Sequence, residues 1–287
     1  MTQTLHDIQA ILTGAGIRPL KRFGQNFLID GNLMRKLIAA AEIQPNDVVL
    51  EVGIGTGSLT ENLLEASGYV VGVEIDRGLQ TLAKGRFQNA NNFTLIGHDI
   101  LARKSVIAPD VLQEVTARRR ELKGRILLVA NLPYQVATPL VMNLLLGDVL
   151  VSPMCFTVQS EVAERVMAKP AGKEYGPLSI LAQALAGVKR IARVPPGAFW
   201  PAPKVHSTML RLDAREDRPS AAVREKLSFV VHACFNQRRK TMRSSLRGVL
   251  DEALIERIQK DGRWDLSRRP EELSVTQWVE FAEFLSK

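Results

Sequence analysis

Long apolar runs are missing from this chain. No stretch of its 287 residues reaches the roughly 20 apolar positions that a membrane-spanning helix needs, so no membrane partner is expected. Cysteine is scarce. Cys155 and Cys234 stand far apart among apolar or mixed neighbours and read as reduced core thiols, which suits a cytoplasmic location. The four histidines, His6, His98, His206 and His232, are scattered without metal-ligand spacing, and no metal site is expected. There is no Gly-Lys-Ser/Thr phosphate loop, no Gly-x-Ser-x-Gly elbow and no pair of catalytic carboxylates. A secretory leader is not expected either: Thr2 to Ala15 mixes polar and acidic residues with Leu5, Ile8, Ile11 and Leu12, the pattern of a short amphipathic helix.

What is present supports a sizeable core. With 46% hydrophobic and 24% charged residues, one large domain plus a small one is the expectation. The formal charge is +8, and its distribution matters more than its size. Up to Ala186 the signs nearly cancel; the excess lies in Lys189, Arg190, Arg193, Lys204, Arg238, Arg239, Lys240, Arg243 and Arg247. A one-sided excess in a separate segment favours a polyanionic partner, nucleic acid, over a merely solvated face.

The chain is organised around Glu51-Val52-Gly53-Ile54-Gly55-Thr56-Gly57. Asp47 to Leu50 before it reads as a buried strand. After it, Ser58 is positioned to cap a helix carrying Leu59, Leu63 and Leu64 on one face. Strand, glycine turn and helix open a nucleotide-binding α/β unit. The spacing lacks the third glycine of the dinucleotide pattern, and Glu51 repels a pyrophosphate while suiting a cationic ligand such as S-adenosylmethionine. The glycines alone leave that ligand and other α/β ligands open. A second strand, Tyr69 to Ile75, places the carboxylate of Glu74 about 20 residues past the glycines, where a ribose-binding acid belongs. A third, Phe93 to Ile96, is followed by Asp99, which suits an adenine amino group or a plain turn.

Residues 101–124 read as an insertion with an amphipathic helix over Val111 to Lys123 and exposed Arg118, Arg119 and Arg120. Strand Arg125 to Ala130 runs into Asn131-Leu132-Pro133-Tyr134. Helix Thr138 to Leu146, strand Met154 to Val158 and helix Gln159 to Lys169 follow. Repeated β-then-α order predicts a parallel sheet with helices on both faces. The Pro-rich loop Val194 to Lys204 leads to strand Val205 to Leu212. The polar stretch Arg215 to Ser220 marks a boundary between residues 1–216, with a helical arm 1–46, and a helical 217–287.

The Asn131 turn has a specific chemistry available to it. The amino group of a purine is a poor nucleophile because its lone pair is delocalised into the ring. The Asn131 side-chain oxygen and the Leu132 carbonyl can accept both N–H groups and favour a tetrahedral nitrogen, so catalysis is mainly positioning and electrostatics. Tyr134 can stack on the base and Phe199 can close its other side. Taken alone, the turn reads first as an ordinary Asn-Pro type turn at a strand end. A cytosine-ring mechanism fits worse, since neither cysteine follows a proline.

Together these residues resemble the ribosomal small-subunit RNA adenine dimethyltransferases. The resemblance runs from about Lys21 to Trp278. It rests on Arg22-Phe23-Gly24-Gln25-Asn26-Phe27-Leu28, Glu51 to Gly57, Glu74, Asp99 and Asn131 to Tyr134. Phe199-Trp200-Pro201-Ala202-Pro203-Lys204-Val205 and Phe235-Asn236-Gln237-Arg238-Arg239-Lys240-Thr241 complete it. It implies a Rossmann-like S-adenosylmethionine-dependent methyltransferase fold: a mostly parallel seven-stranded sheet with a reversed last strand, and a small helical C-terminal RNA- or ribosome-binding domain. It implies a cofactor site at Gln25, Asn26, Leu28, Gly53, Gly55, Glu74, Ile75, Asp99 and Asn131, with RNA contacts at Arg238, Arg239, Lys240 and Arg243. The implied reaction is dimethylation of two adjacent adenosines near the 3′ end of 16S rRNA in the assembling small subunit; a monomer is expected. The sequence departs from the family at Gln135-Val136-Ala137, at Pro177 and in the long stretch between Asp99 and Asn131.

Overall fold

The computed structural model describes residues 3–287, with the backbone alone at Lys21. Thr2, at the start of the expected N-terminal helix, and the Lys21 side chain lie outside the described residues. In chain order the elements begin with α1 (Leu5–Gly14), β1 (Phe27–Leu28), α2 (Gly31–Ala41), β2 (Val48–Val52), α3 (Ser58–Ala66), β3 (Tyr69–Val73) and α4 (Arg77–Arg86). They continue with β4 (Phe93–Ile96), β5 (Leu101–Arg103), β6 (Val106–Ile107), α5 (Pro109–Leu122), β7 (Ile126–Ala130), α6 (Tyr134–Leu146), β8 (Met154–Gln159) and α7 (Ser160–Val166). Then come α8 (Pro177–Leu185), β9 (Ala186–Val194), β10 (Phe199–Trp200), β11 (Ser207–Ala214), α9 (Ala221–Phe235), α10 (Met242–Leu246), α11 (Glu252–Asp261) and α12 (Val275–Leu285). Among the described residues no helix is long and apolar enough to cross a membrane.

The main sheet has seven strands in the order β4-β3-β2-β7-β8-β11-β9. The β3–β4, β2–β3, β2–β7 and β7–β8 pairs are parallel, and β11 runs antiparallel to β8, giving the reversed strand of a methyltransferase sheet. β2 and β7 are buried at every position, as expected of parallel strands covered on both faces. Their N-terminal ends are locked by Arg125. Its backbone N–H, Nε and Nη2 all donate to Asp47, whose side chain is 1% exposed. Burial alone would raise the Asp47 carboxyl, but the Arg125 guanidinium and the Gln44 and Arg125 amides together hold it below its ordinary value.

Two compact units share the chain in segments. The first takes residues up to Leu145, Val149–Ala163 and Lys189–Ala214; the second takes Leu146–Asp148, Glu164–Val188 and Arg215–Lys287. A single cut at 216 does not reproduce this division, because α8 packs with α9 and α12. The second unit is centred on Trp278, Phe281, Tyr175 and Phe235. The Tyr175 hydroxyl donates to the Leu273 carbonyl at 2.9 Å. Arg224, 7% exposed, gathers the Leu146, Gly147 and Pro219 carbonyls and pairs with Asp148 at 2.6 Å. Both cysteines are fully buried, Cys155 in β8 and Cys234 in α9.

Several local expectations are corrected. Ser58 does not cap α3: Gly57, at φ 81°, takes the N-cap position, and the Ser58 hydroxyl instead accepts the Gln3 N–H. The 101–124 stretch is a β5–β6 hairpin followed by α5, and within α5 the Arg118 side chain is not free. It pairs with Glu114 and lies 4.5 Å over the Tyr69 ring.

Candidate active site

In an open α/β sheet, ligands bind beyond the strand C-termini where the strand order reverses. Here the chain runs outward through β2, β3 and β4, then returns to the other side of β2 as β7. The switch point therefore lies between the ends of β2 and β7, at Gly53 and Asn131. A cleft opens there, lined by Phe23 to Leu28, Glu51 to Thr56, Val73 to Ile75, His98 to Ile100 and Asn131 to Val136, among others.

Two glycines make the close approach possible. Gly53 has φ 80°, a conformation that L side chains rarely adopt, and a Cβ on it would lie 3.2 Å from the Pro133 ring, so the two turns meet closely over bare backbone. Gly55, at φ 61°, is approached by the Phe27 ring in the same way, at 3.0 Å. The Gly55 N–H donates to Glu74 Oε2 at 3.1 Å, and the Asp76 N–H donates to the other oxygen at 2.9 Å. Glu74 is 5% exposed. Burial raises its carboxyl, and the two amides hold it down part of the way.

Glu51 sits deeper, 1% exposed, accepting the Thr60 hydroxyl at 2.7 Å. Burial pushes its carboxyl up to about 8, against the pull of the Thr60 hydrogen bond, with the Glu74 charge adding to the rise. Glu51, Glu74 and Asp99 all line the cleft, with His98 at its mouth, while among the described residues no lysine or arginine does. Such a donor set rejects phosphates and fits a phosphate-free, cationic ligand with hydroxyl and amino groups to donate.

The 23–28 loop is stitched over both strand ends. Gln25 Oε1 accepts the Leu20 N–H at 2.6 Å, and its Nε2 donates to Asp76 Oδ2 at 3.0 Å. Its amide is thus engaged with protein on both sides, so Gln25 lines the cleft as a brace. Asn26 Nδ2 donates to the Gly24 carbonyl at 2.9 Å. Asn131 Nδ2 donates to the Asn26 carbonyl at 2.8 Å, which fixes the orientation of the Asn131 amide. Among the described residues its Oδ1 accepts no hydrogen bond, nor does the Leu132 carbonyl; the next carbonyl, that of Pro133, takes the Val136 and Ala137 N–H groups. Two adjacent acceptors are therefore left without partners beside the glycine turn. The Tyr134 hydroxyl is tied to Ser207 Oγ of β11 at 2.7 Å, and partial burial raises its pKa.

The structure brings Gln25, Asn26, Leu28, Gly53, Gly55, Glu74, Ile75, Asp99, Asn131, Leu132 and Tyr134 to one cleft. It does not bring Phe199 there. Strand pairing sets Leu28 opposite Phe199 and Phe27 opposite Trp200, and the Phe199 ring, 3% exposed, joins the core with Leu28, Leu33 and Met209. In the second unit Arg238 is committed inward: it donates to the Lys173 and Gly172 carbonyls at 2.8 and 3.1 Å and faces Glu271 at 4.0 Å. Arg239, Lys240 and Arg243 are exposed. His98 also lines the cleft, a position that no sequence pattern flags.

The ribosomal RNA adenine dimethylase pattern matches residues 18–287. Ribosomal RNA small subunit methyltransferase A of Lactobacillus acidophilus is 37% identical over 280 residues, 96% of this chain and 94% of that protein. The protein of the same name from Pseudomonas savastanoi pv. phaseolicola is 39% identical over 271 residues, 94% of this chain and 96% of its own. Among solved structures, a dimethyladenosine transferase from Plasmodium falciparum matches with TM-score 0.70 at 23% identity, over 90% of this chain and 97% of that one. The 23S rRNA methyltransferase ErmE matches with TM-score 0.63 at 22% identity, over 91% and 100%. These two likenesses bear on the fold, which is that of a methyltransferase. The family match and the close relatives over nearly the whole length decide the rest: the chain belongs to the ribosomal RNA adenine dimethylase family.

Proposed function

We propose that this enzyme dimethylates the N6 amines of two adjacent adenosines near the 3′ end of 16S rRNA, in small ribosomal subunits under assembly, with S-adenosylmethionine as methyl donor. The observation that carries the reading is the Asn131 amide. It is held by Asn26 with its oxygen free, next to a cleft lined by three carboxylates and, among the described residues, by no lysine or arginine.

The donor set fits the cofactor. Glu74 offers the remaining lone pairs of both oxygens to ribose hydroxyls and Asp99 offers Oδ2 to the adenine amino group. Gly53, Gly55 and Ile75 provide the backbone and apolar walls, and Glu51 faces the cationic end. Bound S-adenosylmethionine supplies an electrophilic methyl on a sulfonium. The target adenine leaves its stack and enters beside Tyr134, whose ring is held by Ser207 and stacks on the base. Asn131 Oδ1 and the Leu132 carbonyl accept the two amine N–H groups and turn the nitrogen lone pair out of conjugation. No base is needed before attack, because the amine proton becomes acidic only afterwards. Leu28 and the core ring of Phe199 support the floor from behind through the β1–β10 pairing.

We assign the first unit to catalysis and the second, which carries Arg239, Lys240 and Arg243, to RNA and ribosome contact, in a cytoplasmic monomer. The deciding experiment incubates the protein and labelled S-adenosylmethionine with small subunits lacking the modification, then maps the methylated nucleotides by mass spectrometry. Dimethyladenosine at two adjacent positions near the 3′ end of 16S rRNA is expected; methyl groups in large-subunit RNA, or none, refute the reading.

A further inference from the structure

His98 occupies an unusual place at the cleft mouth. It follows β4, lines the cleft, and makes two hydrogen bonds: Nδ1 to the carbonyl oxygen of Asp99 at 2.9 Å and Nε2 to Asp110 Oδ2 at 2.7 Å. A peptide carbonyl and a carboxylate only accept. Both bonds therefore exist together only when both ring nitrogens carry protons, that is, in the imidazolium. Asp110 belongs to the first turn of α5, so the ring closes the base of the 99–110 loop, which contains the β5–β6 hairpin. Two further bonds run along the same loop. The Leu101 N–H donates to Asp99 Oδ1 at 2.9 Å, and the Ala108 N–H donates to the Ile100 carbonyl at 2.8 Å. Asp99 and Ile100 line the cleft.

We propose that His98 is a positioning residue for the cofactor: its imidazolium clamps the Asp99 backbone to Asp110 and so couples the 99–110 loop to the cleft. This rests on the assignment of the cleft to S-adenosylmethionine. The charged groups facing the ring are Asp99 on its own segment and Asp110 on α5, and both favour the protonated form. The hydrogen bond to the Asp99 carbonyl contributes most to the upward shift of the His98 pKa, followed by that to Asp110. A clamp that needs the proton is intact below the raised pKa and is lost as pH rises through it. The ring and Asp110 are 45% and 56% exposed, so the effect is modest: a loss of roughly three- to fivefold in affinity.

S-adenosylhomocysteine is the probe, with its affinity measured by calorimetry at pH 6.0 and 8.5 for wild type, His98→Gln, Asp110→Asn and Asp110→Glu. Comparing each variant with wild type at the same pH cancels the titration of Glu51, Glu74 and the ligand's own amino group. The expected result is a roughly three- to fivefold weaker affinity of His98→Gln and Asp110→Asn at pH 6.0. At pH 8.5 the gap to wild type is smaller, and Asp110→Glu stays near wild type throughout. A ratio to wild type that does not change with pH overturns the clamp, even if the variants bind poorly, since a purely structural defect has no reason to track the histidine. Wild type that fails to bind the probe at either pH overturns the cofactor assignment itself, and the clamp with it; normal binding with a flat ratio overturns the clamp alone.

Discussion

Replacing Glu51 with glutamine tests whether the acid at the cleft floor is neutral at physiological pH. The side chain is 1% exposed, and among the described residues its one hydrogen bond comes from the Thr60 hydroxyl at 2.7 Å. Burial lifts its pKa from 4.5 to about 8. The sign follows from linkage. The unfolded chain gives up this proton near 4.5 while the folded chain keeps it until about 8. Stability is therefore fully present below the lower value and falls as pH rises between the two. Each pH unit in that window costs about 1.4 kcal/mol, so wild type loses about 2 kcal/mol from this group between pH 6 and 8. Glutamine has the shape of the neutral acid, can still accept from Thr60, and does not titrate. The difference in Tm between Glu51→Gln and wild type should then shift by roughly 4–8 °C in favour of the variant over that interval, read by scanning calorimetry. Comparing the two proteins at each pH removes every other titrating group from the result. A Tm difference that is the same at pH 6 and 8 refutes the reasoning, and so does a variant several degrees less stable at pH 6. The same carboxyl predicts a second signal. A cationic ligand favours its ionised form, so binding of S-adenosylmethionine at pH 7 releases more protons from wild type than from Glu51→Gln.

Asn131→Ala should lower turnover roughly 10²- to 10³-fold, the usual cost of removing one oriented group at a reacting centre, while S-adenosylhomocysteine affinity changes less than about twofold. Single-turnover methylation and calorimetry separate the two effects. Arg238→Ala should lower the Tm, by the equivalent of about 1–2 kcal/mol, because it frees the Gly172 and Lys173 carbonyls and Glu271. The combined Arg239→Ala, Lys240→Ala and Arg243→Ala variant should keep its Tm and instead bind subunits more weakly. Its salt dependence should be shallower, by up to about one unit of slope for each phosphate it no longer neutralises. Arg125→Ala should cost about 2 kcal/mol, below the usual figure for a broken buried pair because Asp47 keeps the Gln44 and Arg125 backbone N–H groups. The depressed Asp47 pKa supplies stability above its ordinary value that disappears as pH falls, so the gap between this variant and wild type should narrow in acid.

The parts of the fold legible in sequence are those whose reasons are local. β2, β3 and β7 announce themselves as short β-branched runs because both faces are covered. The glycine turn, Glu74 and Asn131 are found because each stands directly at a strand's C-terminal end. β9 is not legible: an edge strand with Lys189, Arg190 and Arg193 exposed has no need of an apolar alternation. α8 is hidden for the opposite reason. Seven of its nine residues are buried, so no polar stripe marks the period, although Gly176-Pro177 marks its start. The roles of Phe199, Gln25 and His98 depend on contacts with residues remote in the chain or on the fold of the insertion, and no spacing rule reaches them. Phe199 looks like a stacking ring because it sits in a Pro-rich loop; its pairing with Leu28 makes it core.

That pairing explains how the cleft is held in shape. Its main walls, 23–28, 51–56, 73–75 and 131–136, are tied to one another and to the strands behind them by named contacts. β1 is paired with β10, Gln25 with Asp76, Asn26 with Asn131, Gly55 with Glu74, Pro133 with Gly53, and Tyr134 with Ser207. The two acceptors assigned to the target amine, Asn131 Oδ1 and the Leu132 carbonyl, are left out of this network, as are spare lone pairs of the acids assigned to the cofactor. A site that works by positioning needs this division. Groups that orient must spend their hydrogen bonds within the protein, and groups that act must keep theirs. Gln25 falls on the first side of the line and Asn131 stands on both, its Nδ2 spent on Asn26 and its Oδ1 kept. The amide is suited to that double role because its donor and acceptor sit on opposite arms of one rigid plane. An aspartate at 131 has no donor for the Asn26 carbonyl, and a serine lacks the reach to serve both sides at once.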